Sequence, residues 1–525
     1  MLSNNILKNA LISLSDKTHL LEMSKILLEK KINLFSTGKT AKYLKNNNIP
    51  VTEISEYTKF PEIMDGRIKT IHPKIIGGIL GRRNQDKKTM ELYNILPIDI
   101  VIVNFYPFDK LNFEKEENIE EILKNIDIGG PTLVRSAAKN YKDVIVIVNF
   151  FDFKLVFNSL KNNYISIEKR LYLASQAFSY TSNYEKSIEQ YFKNKHILNT
   201  KNQDVLFPNQ INLTFTKKQN LRYGENQHQK SALYIQKEIL ISGTISSSYQ
   251  VNGKKLSYNN ICDADIALEC VKEFSQPACV IVKHGNPCGV SENTSLLQAY
   301  ISAYKADPIS AFGGIIAFNS MIDIETAKEI IKTQFIEVII APEINNISLE
   351  ILKEKKNIRI LITGKFKKSN EQTDFKKITN GLLLQEYNND KIDIKKFDYI
   401  TKRLPTKKEL EDAIFCWKIV KYVKSNAILY GLNKTTISIG SGQTSRVDAT
   451  QLANYKAKNR GFNTKGATMA SDAFFPFKDG VEKAACIGIS CIIQPGGSIR
   501  DREVIECANK YNIAMIFTRQ RHFKH

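Results

Sequence analysis

The sequence predicts an α/β protein built on parallel sheets, and three observations carry that prediction. Short apolar runs alternate with amphipathic helical stretches through the first 150 residues. Two of the runs, IDIVIVNFYPF (98–108) and DVIVIVNF (143–150), are continuously β-branched, as strands covered on both faces require. Polar residues cluster just after the runs, at the strand ends where such sheets bind ligands. Taken in order, ALISLS (10–15) reads as a buried strand and THLLEMSKILLEKK (18–31) as an amphipathic helix. INLFST (32–37) is the next strand, TAKYLKNNN (40–48) the next helix and VTEIS (51–55) a third strand. A helical stretch covers 166–193, and the polar, aperiodic 196–210 marks a domain boundary. The expected domains are 1–200 and 201–525, the second holding two α/β halves that divide between 350 and 400. The lysine-rich 353–378 reads as a surface excursion, and no internal repeat is visible by eye.

Composition narrows the class. Hydrophobic residues are 42% and charged residues 25%, an ordinary globular mixture. No run of 18 apolar residues and no signal-peptide pattern is present, so a cytoplasmic protein with no membrane partner is expected. The eight cysteines form no C-x-x-C pair and have no histidines at zinc-finger spacing, so they read as reduced thiols and no metal is expected. The formal charge of +21 comes from lysines scattered along the chain, without a dense basic block interleaved with aromatics. That argues against nucleic acid and for anionic, phosphorylated small substrates.

The stretch LFSTGKTA (34–41) carries the tail of a P-loop, but the first glycine of that pattern falls on Asn33. What remains, Ser36, Thr37, Gly38, Lys39 and Thr40, suits one phosphate at a helix N-terminus. SLSDK adds Ser13, Ser15 and Lys17; MDGRIKTIHPKIIGGIL (64–80) adds Arg67, Lys69, Thr70 and His72. NFYPF adds Asn104 and Tyr106, and IDIGGPTLVRSAAKN (126–140) adds Asp127, Gly129, Gly130, Arg135 and Lys139. Singly each has a structural explanation: a solvated lysine, a satisfied core tyrosine, an aspartate capping a helix. Together, at the ends of successive strands, they describe a site.

The second half has its own markers. LRYGENQHQ (221–229) places Arg222 and Tyr223 in a polar loop, and CVIVKHGNPCGV (279–290) is a strand ending in Lys283 and His284. Adjacent strand residues face opposite ways, so both reach one substrate only if the chain turns there, as Gly285 and Pro287 permit. ADPISAFGG (306–314), VKSNAILY (423–430), IGSGQTSRVDA (439–449), ASDAFFPFKDGVE (470–482), IIQPGGSIRD (492–501) and RHFKH (521–525) follow.

In order and spacing these motifs resemble the bifunctional purine-biosynthesis family of phosphoribosylaminoimidazolecarboxamide (AICAR) formyltransferase/IMP cyclohydrolases, over nearly the whole chain. The resemblance implies a methylglyoxal-synthase-like parallel-sheet domain followed by a duplicated, cytidine-deaminase-like α/β transformylase domain. It implies formyl transfer from 10-formyltetrahydrofolate to AICAR, giving FAICAR, and ring closure of FAICAR to IMP with loss of water. For ring closure it points to Lys69, Tyr106, Asp127 and Lys139 as catalytic. Ser13, Ser15, Lys17, Ser36, Thr37 and Thr40 would hold the 5′-phosphate, with Arg67, Thr70 and Gly129 nearby. For formyl transfer it points to His284 as base, with Lys283 and Asn426 beside it; Arg222, Tyr223, Arg446 and Arg521 would anchor the ribotide and Phe312 would pack on ribotide or folate. It also implies a homodimer with the transformylase site at the interface, and no metal in the chemistry. Four positions depart from the family's usual residues: Lys39 for Gly, Ile76 for His, Gln227 for Pro and Arg519 for Gly. Three other readings stay open: one activity impaired by Lys39, a nucleotide-responsive binding protein without turnover, and an ATPase.

Overall fold

The computed structural model describes residues 7–64, 68–106, 108, 119–160, 165–199, 206–236, 240–367, 373–389 and 392–525, so Arg67 lies outside the described residues. The chain divides into two compact units, Met1–Val205 and Leu206–His525.

Five parallel strands form the sheet of the first unit: β1 (Asn9–Leu14), β2 (Asn33–Ser36), β3 (Thr52–Glu53), β4 (Ile100–Asn104) and β5 (Ile145–Ile147), in the order β3-β2-β1-β4-β5. The β-branched runs supply the middle: Ile100, Val101, Ile102, Val103, Ile145, Val146 and Ile147 are buried, with helices on the flanks. Strand order reverses beside β1, making the carboxyl ends of β1, β2 and β4 the expected crevice. Helices Gly38–Asn46 and Gly129–Lys139 open on that edge. The third strand is shorter than VTEIS suggests. Only Thr52–Glu53 pairs with β2; Ile54 turns into the core and starts a short helix, with a capping box between Glu53 and Glu56.

The second unit is organised by a repeat. Its first half contains β9 (Ala278–Lys283), β10 (Asn286–Glu292), β11 (Gly314–Phe318), β12 (Ile336–Ala341) and β13 (Arg359–Ile362). Its second half contains β17 (Ile428–Leu432), β18 (Thr435–Gly440), β19 (Thr468–Ser471), β20 (Cys491–Gln494) and β21 (Ala514–Phe517). β8 (Tyr249–Asn252) pairs antiparallel with β13, and β16 (Asp398–Tyr399) pairs antiparallel with β21. The whole is one twelve-stranded sheet, β16-β21-β20-β19-β17-β18-β10-β9-β11-β12-β13-β8, whose halves meet antiparallel at β18 and β10. Helices Tyr258–Val271 and Lys407–Val420 precede the two central hairpins and share one core with Val280, Val282, Leu429 and Trp417. On the other face the halves keep separate cores, as alternation along β9 and β17 requires. Two ribbons stand outside the sheet: β6 (Thr216–Asn220) with β7 (Ala232–Ile235), and β14 (Thr373–Ile378) with β15 (Gly381–Glu386).

Candidate active sites

In the first unit the turn after β2 forms as its residues demand. Thr37 is extended, Gly38 takes φ +42°, and the helix begins there. A left-handed φ favours glycine, which leaves the backbone N–H groups open to an anion. Ser13 Oγ lies 3.3 Å from Thr37 Oγ1, joining the ends of β1 and β2. Lys17 Nζ donates to the Ser15 carbonyl at 3.3 Å, and the Ser15 amide donates to Asn104 Oδ1 at 2.6 Å. Ser36 and Thr40 do different work. Both are buried; Ser36 Oγ donates to Ile12 O at 2.7 Å and Thr40 Oγ1 to Leu14 O at 3.0 Å, so these hydroxyls hold the turn against β1. Lys39 is exposed.

Lys69 reaches the turn from its own loop: its Nζ lies 3.6 Å from where a Cβ on Gly38 would stand, and Glu62 Oε1 lies at 3.5 Å. Buried Thr70 sits against Gly129, where a Cβ would lie 2.7 Å from Thr70 Oγ1. Asp127 Oδ1 accepts from Gly130 N at 2.9 Å, fixing the carboxylate at the start of helix Gly129–Lys139. Its own amide donates to Tyr184 OH at 2.7 Å, and burial pushes that phenol up to about 12. Tyr106 follows β4 and is 43% exposed. Lys139 lies at the other end of helix Gly129–Lys139. It is exposed at the last position of the helix, about 15 Å along the axis from Gly129 at 1.5 Å per residue.

In the second unit the chain turns after β9. His284 has φ +50° and Gly285 φ +76°, so the two neighbours diverge from strand geometry. Lys283 Nζ donates to Phe312 O at 3.1 Å and Gly313 O at 2.8 Å, whereas His284 is exposed. The antiparallel meeting of the halves brings the start of β17 to the same edge. Lys424 N donates to Asn286 Oδ1 at 3.0 Å. Asn426 is held on both sides: its Nδ2 donates to Gln443 O at 2.9 Å and its Oδ1 accepts from Arg446 at 2.7 Å. Arg446 is buried, with further bonds to Ser471 Oγ at 2.7 Å and to the fully buried Asp472 at 2.5 Å. The structure therefore uses Arg446 to orient Asn426 from behind. Ser425 N donates to Lys524 O at 2.9 Å, which brings RHFKH to this edge, with Arg521 exposed over the Phe523 ring.

Phe312 is 63% exposed beside Phe335, and Phe474 and Phe477 of FFPF are exposed while Phe475 is core. Exposed Arg222 lies over the Tyr223 ring. It is close enough to Arg359, at the start of β13, to repel its charge; burial is the larger effect lowering that guanidinium, and Glu337 opposes both. β13 is three strands from β9, about 14 Å across the sheet at the usual strand spacing.

Sequence reasoning missed Glu62, Tyr184, Asp263 and Asp472. FPEIMDGR carries Glu62 and ASDAFFPFKDGVE carries Asp472 in plain view, but Tyr184 and Asp263 are single residues inside helices, with no local pattern to mark them. Among the described residues, no three His, Cys, Asp or Glu side chains gather as metal ligands, and no helix is long and apolar enough to cross a membrane.

Comparison with known proteins adds the following. Residues 137–456 match the AICARFT/IMPCHase bienzyme family and residues 19–132 an MGS-like domain. The chain is 69% identical over 523 residues, 99% of each chain, to the bifunctional purine biosynthesis protein PurH of Buchnera aphidicola subsp. Schizaphis graminum. It is 61% identical, over the full length of both chains, to the protein of that name from Buchnera aphidicola subsp. Acyrthosiphon pisum strain 5A.

Proposed function

The chain belongs to the AICARFT/IMPCHase bienzyme family, and from that premise we propose how its two units divide the family's two reactions. It is a bifunctional enzyme of purine biosynthesis, with folate-dependent AICAR formyltransferase and IMP cyclohydrolase activities. The observation that carries the assignment of formyl transfer to the second unit is the convergence of Lys283, His284 and Asn426 on one sheet edge from two different halves.

In formyl transfer the AICAR amine is a weak nucleophile, its lone pair delocalised into the ring. His284 takes its proton as it attacks the formyl carbon of 10-formyltetrahydrofolate. Lys283, oriented by two carbonyls, and Asn426, oriented by Arg446, face the tetrahedral oxyanion and the leaving nitrogen. Arg222, Tyr223 and Arg521 hold the ribotide, and Phe312 with the exposed phenylalanines of FFPF packs against ribotide or pterin.

In ring closure the FAICAR 5′-phosphate lies on the Gly38 turn, with Ser13, Ser15, Lys17 and Thr37 around it and Ser36 and Thr40 behind. Lys69 and Tyr106 stabilise the formyl oxygen as the carboxamide nitrogen attacks, and Asp127 takes the amide proton; the resulting hydroxyl is then protonated and leaves as water as the ring C=N bond forms. Lys139 shares the proton transfers with Asp127. The second unit's paired halves support a duplicated, cytidine-deaminase-like fold. Neither reaction uses a metal, nucleic acid or membrane, and the protein works in the cytoplasm. It acts as a homodimer; the exposed Phe375, Ile378, Leu382 and Leu383 on the β14–β15 ribbon supply apolar surface for a second copy.

Assaying the two steps separately tests the division. His284→Ala is expected to lower formyl transfer by roughly 10²–10⁴-fold while IMP still forms from supplied FAICAR at the wild-type rate. Formyl transfer within a few-fold of wild type would overturn the role of His284.

A further inference from the structure

The turn that carries His284 is clamped from below. Asp263, on helix Tyr258–Val271, accepts from Gly285 N at 2.7 Å through Oδ1 and from His284 N at 3.2 Å through Oδ2. Both turn residues are left-handed, a conformation that a non-glycine residue such as His284 holds only when its surroundings fix it. The second half repeats the clamp. Asp412, on helix Lys407–Val420, accepts from Lys434 N at 2.7 Å and Asn433 N at 3.0 Å, where φ is +52° and +53°. Antiparallel pairing puts that turn on the opposite edge of the sheet, next to Glu292 and away from Asn426. The molecule thus holds two copies of one device, and only one of them presents a histidine to the site.

We propose that Asp263 is a positioning residue for formyl transfer, whose carboxylate fixes the backbone that aims His284. Burial pushes Asp263 up, and the two N–H donors oppose it and favour the ionised carboxylate. Losing those bonds releases the left-handed turn and misplaces the imidazole it carries.

The proposal rests on His284 being the base, so His284→Ala is assayed first; retained formyl transfer there overturns that reading and not the clamp. The test of the clamp compares Asp263→Asn, Asp263→Glu and Asp412→Asn in the full-length enzyme, following kcat and KM for formyl transfer together with Tm. Asp263→Asn is expected to lower kcat by roughly 10–100-fold, the scale of a small misplacement of a reacting group, with KM for AICAR little changed. Asp412→Asn is expected to lower Tm and leave kcat unchanged. A kcat for Asp263→Asn no lower than that of Asp412→Asn, or a loss that falls on KM instead, overturns the proposal. If Asp263→Asn does not fold, Asp263→Glu decides: a wild-type kcat despite the displaced carboxylate overturns the positioning role, and a lowered kcat with KM kept supports it.

Discussion

Lys69 and Asp127 are far apart in sequence yet meet the same crevice: Lys69 reaches the Gly38 turn, its neighbour Thr70 packs on Gly129, and Asp127 accepts a bond at the start of the helix that Gly129 opens. Lys69→Met is therefore expected to lower FAICAR cyclisation by about 10²–10³-fold, the usual loss when one oxyanion donor is removed, with formyl transfer intact; stopped assays of each step check this. Lys139→Ala separates two possibilities that the helix geometry frames. An effect as large as that of Lys69→Met places its ammonium at the reacting groups, and a small effect leaves it a surface lysine. The residue types in this site were legible in the sequence, because polar residues after apolar runs read directly as strand-end groups. Their duties were less legible. Ser36 and Thr40 look like phosphate ligands, but their hydroxyls go to carbonyls on β1, a strand more than twenty residues earlier. Arg446 looks like a substrate anchor, but its partners Ser471 and Asp472 come from β19 and the turn after it. Such commitments depend on tertiary neighbours that no local pattern encodes.

At the scale of elements, the approach of helix Gly129–Lys139 to the loop holding Thr70 sets the shape of the first site. A methyl group at Gly129 would stand 2.7 Å from Thr70 Oγ1, closer than real Cβ contacts allow. Gly129→Ala is expected to push Thr70 and the adjoining Lys69 away from the turn, cutting cyclisation at least tenfold while Tm falls by a few degrees; paired kinetics and calorimetry read both. The strands and helices around this loop follow the hydrophobic pattern closely. VTEIS is the exception: its β-branched start favours a strand, but burial of Ile54 and the Glu53–Glu56 box favour a helix after two residues. The repeat in the second unit, which the family resemblance implies, is not visible in the residues themselves because it is carried by connectivity and register. Its two halves share few residues, yet Asn319 and Asp472 each accept an amide near the start of the first hairpin strand, from Ala278 and Ala427, at 2.8 and 3.2 Å.

At the scale of the molecule, the second half is fastened by Arg403 and Glu409. Two 2.9 Å bonds join them, and Ser490 and the Thr406 amide also donate to the carboxylate. Burial alone would raise Glu409, but these partners outweigh it and hold the carboxyl at about 2 against an ordinary 4.5. A depressed carboxyl contributes stability above its unfolded value, and that contribution is lost as pH falls from about 4.5 towards about 2. The difference corresponds to about 3 kcal/mol. Glu409→Gln is expected to lower Tm at pH 7 and to flatten the acid side of the Tm–pH curve, as a pH series by calorimetry checks. The apolar β14–β15 ribbon belongs to the same scale: Leu383→Asp is expected to shift the sedimentation of the protein towards a monomer and to weaken formyl transfer more than cyclisation.

Lys39, the residue that makes STGKT resemble a nucleotide-triphosphate loop, is exposed in the first turn of helix Gly38–Asn46. On the proposed assignment the two units carry successive steps, so FAICAR made by one enzyme molecule can be closed by another. Mixing the His284→Ala enzyme with an Asp127→Asn enzyme and supplying AICAR with 10-formyltetrahydrofolate tests this most directly. Neither variant alone should yield IMP at an appreciable rate, and the mixture should yield it after a lag as FAICAR accumulates. A mixture as inactive as its components would contradict the division of labour.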